Sequence, residues 1–282
     1  MTRPLRIQYP GAVYHVTSRG NRRGSVFNNE EDRVVFLSVL CEAVDRFHLL
    51  CHGYCLMGNH YHLLLETVEG NLCGAMRHLN GIYTQIYNRR HRKCGHVFQG
   101  RYKAILIEKS AHLLEVCRYI VLNPVRAGLT DTPGDWPWSS YRSTAGLQPE
   151  PRFLRTAWLL SQFGEESLKA RERYIEFVND GTTRRIWKDV VSGIVLGSRE
   201  FAGSCRALAH VNADLSEVAR AQRYLDRPPL AELLAGGESK GQKWLRAVYE
   251  YGYTQKEVAR QSGVHCSYVS KTIKRERSQV KT

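Results

Sequence analysis

The stretch Gly58-Asn59-His60-Tyr61-His62-Leu63-Leu64-Leu65-Glu66 sets a two-residue turn signal in front of a run of strand-forming residues. That is the chemistry of a β-hairpin. Side chains alternate along a strand, so His60, His62, Leu64 and Glu66 share one face and Tyr61, Leu63 and Leu65 the other. The second set suits a buried face. Two imidazoles about 7 Å apart along one strand can hold a divalent cation between them. The same spacing also fits two ordinary polar residues, and only a nucleophile and a third ligand elsewhere would decide.

The elements around this hairpin form a recognisable order. Upstream, Ala12 to Ser18 reads as a first strand, followed by the Gly-punctuated basic loop Arg19-Gly20-Asn21-Arg22-Arg23-Gly24. Asn29 is placed to cap a helix over about 30–47, with Val34, Phe36, Leu37, Leu40 and Val44 on its apolar stripe. A second strand over 49–57 leads into the Gly58-Asn59 turn. Downstream come a helix over about 72–88, a strand strongest at 102–107, and a helix over 111–122 capped by Ser110 and ended near Pro124. Strand, helix, two strands, helix, strand is the order of a split βαβ unit. The expected fold is therefore α+β, a ferredoxin-like antiparallel sheet with helices, followed by a mostly α-helical C-terminal region ending in a helix-turn-helix. Trp136-Pro137-Trp138-Ser139-Ser140-Tyr141 looks like a packed tail closing the first unit. Residues 150–235 read as helices and loops with little chemistry, and 196–201 could open a helix of no assigned role. The expected domains are 1–145, a helical connecting region 146–237, and 238–282, with the Gly-rich run 236–241 as the hinge.

Composition narrows the partners. Lys and Arg number 41 against 27 Asp and Glu, a net charge of +14. That excess favours a polyanion, with nucleic acid ahead of a membrane surface. No run of about 18 apolar residues is present, so no membrane span is expected. The N-terminus lacks the apolar core of a signal peptide, and the expected compartment is the cytoplasm. From Arg77 to Lys103 there are seven Lys or Arg and no acid, with Tyr83, Tyr87, Phe98 and Tyr102 interleaved. Cations for phosphates beside aromatics for bases make the composition of a single-strand binding groove. The eight cysteines lack metal-knuckle spacing and read as buried free thiols in a reducing compartment.

The helix over 111–122 offers the nucleophile. Leu113, Leu114, Cys117, Ile120 and Val121 form its apolar stripe. Tyr119 lies off that stripe, and Asn123 follows it by four residues, so the phenol and the amide share a face. If that face looks across to His60 and His62, a cation site, a phenol and a neutral oxygen ligand come together, and phosphodiester transfer is the chemistry they suit. A phenol with an ordinary pKa near 10 attacks only when a base or a cation activates it. Tyr83 and Tyr87 compete for the role, beside Arg89, Arg90 and Arg92, or else stack on bases. Glu66 is the reserve candidate for a third protein ligand.

These motifs resemble a known family. The run from Gly58 to Leu65 resembles the HUH motif, in which U is a bulky apolar residue, here the more polar Tyr61. Arg118-Tyr119-Ile120-Val121-Leu122-Asn123-Pro124-Val125-Arg126-Ala127-Gly128 resembles the tyrosine helix of REP-associated tyrosine transposases, which are insertion-sequence-200-like single-tyrosine transposases. The Trp136 to Tyr141 segment is similar to the family's segment just beyond that helix. The resemblance covers roughly residues 1–145 and implies an HUH endonuclease core. It implies that His60 and His62 bind Mg²⁺ or Mn²⁺ and that Asn123 is the helix-borne ligand. It further implies that Tyr119 attacks single-stranded DNA, leaving a 5′-phosphotyrosine and a free 3′-OH that a second strand end can use in the reverse reaction. Imidazoles by themselves favour Zn or Ni, so the identity of the ion depends on oxygen ligands and availability. Family substrates are hairpins of short palindromic repeats. Arg19, Arg22, Arg23, Arg101 and Tyr102 are the expected contacts.

Tyr253 to Arg275 reads as a helix-turn-helix. Thr254 caps the first helix, Val258 and Ala259 face inward, Gly263 permits the turn, Val264 plugs it, and Val269 with Ile273 bury the second helix. Ser267, Tyr268, Lys271 and Lys274 are left to face duplex DNA. Residues 254–282 carry seven Lys or Arg against two Glu, as a major-groove reader should. The alternative to a strand transferase is a hairpin- and duplex-binding regulator that no longer cuts. The sequence leaves a homodimer open.

Overall fold

The computed structural model describes residues 5–181, 186–210 and 227–279. The chain divides into two compact units, Gln8–Val190 with Ile194–Gly197, and Met1–Ile7 with Val191–Gly193 and Ser198–Thr282.

In the larger unit, β1 (Ala12–Arg19) leads into α1 (Glu30–Arg46), β2 (Leu49–Leu56), β3 (His60–Thr67), α2 (Leu72–Arg90) and β4 (Lys103–Ile107). Helix α3 (Lys109–Val121) and the short α4 (Asn123–Arg126) come next, then α5 (Tyr141–Thr144), α6 (Ala157–Ser161) and α7 (Ser167–Asn179). Strands β5 (Val190–Val191) and β6 (Val195–Leu196) complete a six-stranded sheet of order β2-β3-β1-β4-β6-β5. The first four strands pair antiparallel, β1 lying between β3 and β4, which is the expected ferredoxin-like arrangement. Strand β6 adds parallel to β4.

Alternation along β3 fixes what each face of the sheet does. Tyr61 goes to the side of α1 and α2: its ring lies 4.8 Å from that of Phe36, and its hydroxyl donates to Asn80 Oδ1 at 2.7 Å. Val13, Cys55, Leu64 and Ile107 go to the other side, where Leu113, Val116, Cys117 and Ile120 of α3 cover them. The ferredoxin-like pair of helices thus covers one face, and α3 covers part of the histidine face. Both faces being covered explains why β1 is buried almost throughout.

Several local expectations are corrected. Val34 is 57% exposed, and Val39 and Ala43 join the buried stripe of α1. Asn29 does cap that helix, accepting from Asp32 N at 3.0 Å. Ser110 is no cap, because α3 begins at Lys109 with Glu108 as its N-cap. The Trp136–Tyr141 tail adds to the edge of β2: Leu56 N donates to the Trp138 carbonyl at 2.8 Å and Ser140 N to the Tyr54 carbonyl at 2.9 Å. Residues past 145 also belong to this core, since Leu159, Leu160, Ala170, Tyr174 and Val178 join the cluster under α3. An apolar stripe on α3 too wide for the sheet alone accounts for this extension.

The smaller unit holds α8 (Arg199–His210), α9 (Leu230–Ala235), α10 (Lys240–Tyr249), α11 (Gln255–Gln261) and α12 (Cys266–Gln279). Thr254 and Glu257 form a reciprocal capping box at α11. Gly263 takes φ +64°, the left-handed conformation that a tight turn demands and a side chain resists. Val258, Ala259, Val269 and Ile273 are buried around Trp244, whose indole N–H donates to Ser262 Oγ at 3.1 Å. Part of the connecting region, 211–226, lies outside the described residues. Among those described, no helix is long and apolar enough to cross a membrane. All eight cysteines are free, four of them buried (Cys51, Cys55, Cys117 and Cys205), rather than all of them as expected.

Candidate active site

Strand register gathers the site. His62 lies opposite Thr17 of β1, which in turn lies opposite Lys103 of β4, and His60 lies opposite Arg19. Paired residues share a face, so the two histidines sit in a row with an arginine and a lysine. Helix α3 crosses the same face and brings Tyr119, whose ring stands edge-on to that of His62 with centroids 5.8 Å apart. Thr17, Ser18, Arg19, His60, His62, Gln99, Arg101, Lys103, Tyr119 and Asn123 line one pocket of about 360 Å³.

Asn123 enters this pocket for a backbone reason. Pro124 has no N–H, so the Ile120 carbonyl loses the donor an unbroken helix would supply. The Asn123 side chain replaces it, Nδ2 donating to the carbonyls of Tyr119 at 2.9 Å and Ile120 at 3.3 Å. With its nitrogen so engaged, the amide has its oxygen left to act as a ligand.

Hydrogen bonds also set the histidines. Asn59 Nδ2 donates to the Arg23 carbonyl at 3.0 Å, so its Oδ1 is the atom 2.7 Å from His60 Nδ1. An amide oxygen only accepts, so His60 Nδ1 carries the proton and Nε2 keeps its lone pair. His62 Nδ1 lies 2.9 Å from His15 Nε2, and His62 Nε2 is buried with no hydrogen-bond partner. Burial, reinforced by Arg19, pushes the His60 pKa down to about 4. Burial, then His15, His60 and Arg19, hold His62 well below the usual range. Both rings are therefore neutral at pH 7, the state a cation ligand requires. An orphaned imidazole nitrogen, a second imidazole lone pair and a neutral amide oxygen fit a divalent cation.

The remaining expectations divide. Arg19 and Arg101 line the pocket. Arg22 and Arg23 are exposed in the loop, at φ 53° and 61°, conformations costing about 1–2 kcal/mol each for non-glycine residues. The Asn59 bond to the Arg23 carbonyl ties this loop to the histidine hairpin. Gly20 is obligatory here, because a Cβ would stand 1.9 Å from the Gly24 carbonyl oxygen. Tyr102 is not at the surface: it is buried, its hydroxyl 3.3 Å from Cys73 Sγ. Tyr83, Tyr87 and Phe98 are buried too, the first two bonded to Val26 and Asn28, so the aromatics of 77–103 are core and not a stacking platform. This also removes Tyr83 and Tyr87 as nucleophiles. Glu66 is engaged elsewhere, by His52 Nε2 at 2.8 Å and Lys109 Nζ at 2.7 Å. Among the described residues no three His, Cys, Asp or Glu gather into a group that could hold a metal, and Asn123 lines the same pocket as the two histidines. Ser267, Tyr268, Lys271 and Lys274 are all exposed on α12.

Sequence reasoning missed His15, Trp187, Gln99, Lys103 and Arg126. The Arg126 guanidinium lies 4.9 Å from the centre of the Tyr119 ring, and Trp187 stands edge-on to that ring at 4.9 Å. His15 carried one signal, a lone imidazole inside the apolar strand Ala12-Val13-Tyr14-His15-Val16.

Residues 8–123 match the model of the family described as "Transposase IS200 like". Among solved structures, one described as "Structure of the REP associates tyrosine transposase bound to a REP hairpin" is similar at 16% identity, with a TM-score of 0.45. The match covers 55% of this chain and 92% of that one. No curated protein matches the chain.

Proposed function

We propose, from the match of residues 8–123 to the IS200-like transposase family, that this chain cuts and rejoins single-stranded DNA through Tyr119. The observation that carries the reading is the convergence of Tyr119, His60, His62 and Asn123 on one pocket with a basic rim. Tyr119 Oη attacks the phosphorus of a phosphodiester. The P–O3′ bond breaks, the strand departs as a 3′-OH after taking up a proton, and the phenol proton passes to solvent. The bond formed is a 5′-phosphotyrosine, which a second 3′-OH can attack in reverse, so joining needs no nucleotide cofactor.

The chain's own residues divide the work. The Arg126 guanidinium packs 4.9 Å from the centre of the Tyr119 ring and adds positive charge to the surroundings of the attacking group. Arg19, Arg101 and Lys103 hold the phosphate and offset its charge. Ring contacts from His62 and Trp187 orient the tyrosine. His60, His62 and Asn123 would hold a divalent cation, Mg²⁺ or Mn²⁺, which when bound polarises the scissile phosphate. The substrate class is a hairpin with single-stranded flanks, its backbone steered by Arg22 and Arg23. The exposed Ser267, Tyr268, Lys271 and Lys274 of α12 form a duplex-reading surface that keeps the enzyme on DNA, in the cytoplasm.

The test uses a labelled pool of oligonucleotide hairpins with randomised single-stranded flanks, incubated with the full chain and Mn²⁺. The expected product is a covalent protein–DNA adduct, absent with Tyr119→Phe. Hairpin binding without any adduct across the pool would favour the regulator reading instead.

A further inference from the structure

His15 has no part in the chemistry described so far, yet it is a buried polar group beside the site. It sits on β1, buried, with its ring within 3° of parallel to that of His62 and its Nε2 2.9 Å from His62 Nδ1. Trp187 stacks on it at 4.8 Å and Tyr119 meets it edge-on at 5.9 Å. His15 therefore touches His62, the candidate nucleophile and the tryptophan packed against that nucleophile, without lining the pocket itself.

The shared hydrogen bond has two forms. If His15 Nε2–H donates, the neutral His62 ring carries its other proton on Nε2, where it is buried without an acceptor and blocks that atom as a ligand. If His62 Nδ1–H donates, His62 Nε2 presents a bare lone pair. His15 then carries its own proton on Nδ1, which is likewise buried without a partner. Each form orphans one N–H in the protein alone, a cost of about 1–3 kcal/mol either way. Only the second form lets His62 take a cation.

We propose that His15 is a positioning residue: it accepts from His62 Nδ1–H, locks His62 in the tautomer with a free Nε2, and so sets the strength with which the pocket holds a divalent cation. The inference rests on reading His60, His62 and Asn123 as cation ligands. Partners that fix a ligating imidazole in this way typically account for about 10–100-fold in metal affinity.

Mn²⁺ binding to the full chain, measured calorimetrically, supplies the first readout. His15→Leu keeps the bulk but cannot accept, and weakens binding by about 10–100-fold. His15→Gln places an acceptor oxygen near the same position and restores most of the affinity. The second readout needs no variant: nitrogen-15 spectra of the metal-free wild-type histidines show His62 protonated on Nδ1 and bare on Nε2. Wild-type affinity in His15→Leu, or a His62 ring protonated on Nε2, overturns the role of His15 while leaving the pocket a cation site. A wild-type chain that binds no Mn²⁺ overturns the cation reading, and this inference with it.

Discussion

Tyr61→Phe tests whether the two faces of β3 are as independent as the geometry makes them. The substitution keeps the ring, which is fully buried among Phe36 at 4.8 Å and Phe98 at 5.8 Å. It removes one hydroxyl, whose 2.7 Å bond to Asn80 Oδ1 holds α2 against the sheet. Leaving a half-buried amide oxygen without its donor costs about 1–2 kcal/mol. For a unit of this size each kcal/mol lowers the melting temperature by about 2–4 °C, so Tyr61→Phe should melt about 2–8 °C below wild type. Tyr61→Ala also empties a large core volume and should cost about 3–5 kcal/mol. Because His60 and His62 face the other way, Mn²⁺ affinity and adduct yield of folded Tyr61→Phe should match wild type. Calorimetric melting alongside Mn²⁺ titration reads both quantities. A Tyr61→Phe protein that melts like wild type but binds Mn²⁺ poorly would reverse the assignment of faces.

Four further outcomes rest on particular contacts. Gly20→Ala forces the loop away from Gly24 and should cost about 1–3 kcal/mol in urea denaturation; unchanged stability would show that the loop is slack. Glu66 is held below the ordinary glutamate range first by its bond from His52 and then by Lys109. Its stabilising contribution is therefore present above a pH of about 4.3 and lost as pH falls further. Glu66→Gln should flatten the acid limb of a stability–pH curve, and parallel curves would count against the cluster. Thr254→Ala breaks the capping box at a cost of about 1 kcal/mol, so amide exchange across α11 should quicken by about fivefold, and unaltered exchange would show that the box adds nothing. Lys271→Ala and Lys274→Ala should each lower the log–log salt slope of duplex binding by about 0.9; a slope equal to that of wild type would move the duplex surface off α12.

The pattern of what the sequence disclosed is physical. Periodicity assigns a residue to a face, so the His60–His62 pair, the Tyr119–Asn123 pair and the inward residues of α11 and α12 could be read directly. Turn chemistry was equally legible at Gly58-Asn59 and Gly263. Neighbours across strands were not, because register is a tertiary property: nothing local says that His15 meets His62, 47 residues away. Trp187 comes just after the segment 182–185, outside the described residues, and no periodicity marks it as part of a site. Composition misled where burial decides. Tyr83, Tyr87, Phe98 and Tyr102 alternate with cations along the chain, yet all four point into the core while the cations point out. Asn123 was found for its place on the helix, whereas its role as a substitute donor appears only once Pro124 is seen to break the ladder.

The central position of β1 has a consequence in time. It is the earliest strand of the sheet to leave the ribosome, yet its two partners are β3 and β4, so it waits unpaired while the intervening chain is made. Such non-local pairing is slow compared with helix formation. The strand that carries Thr17 and Arg19 is flanked only after residue 107 is available, and the tyrosine arrives on the helix after that. A nascent chain can thus hold both histidines and still have no tyrosine beside them. The pocket that gathers these side chains is therefore assembled only once β1, β3 and β4 have paired and α3 has followed them.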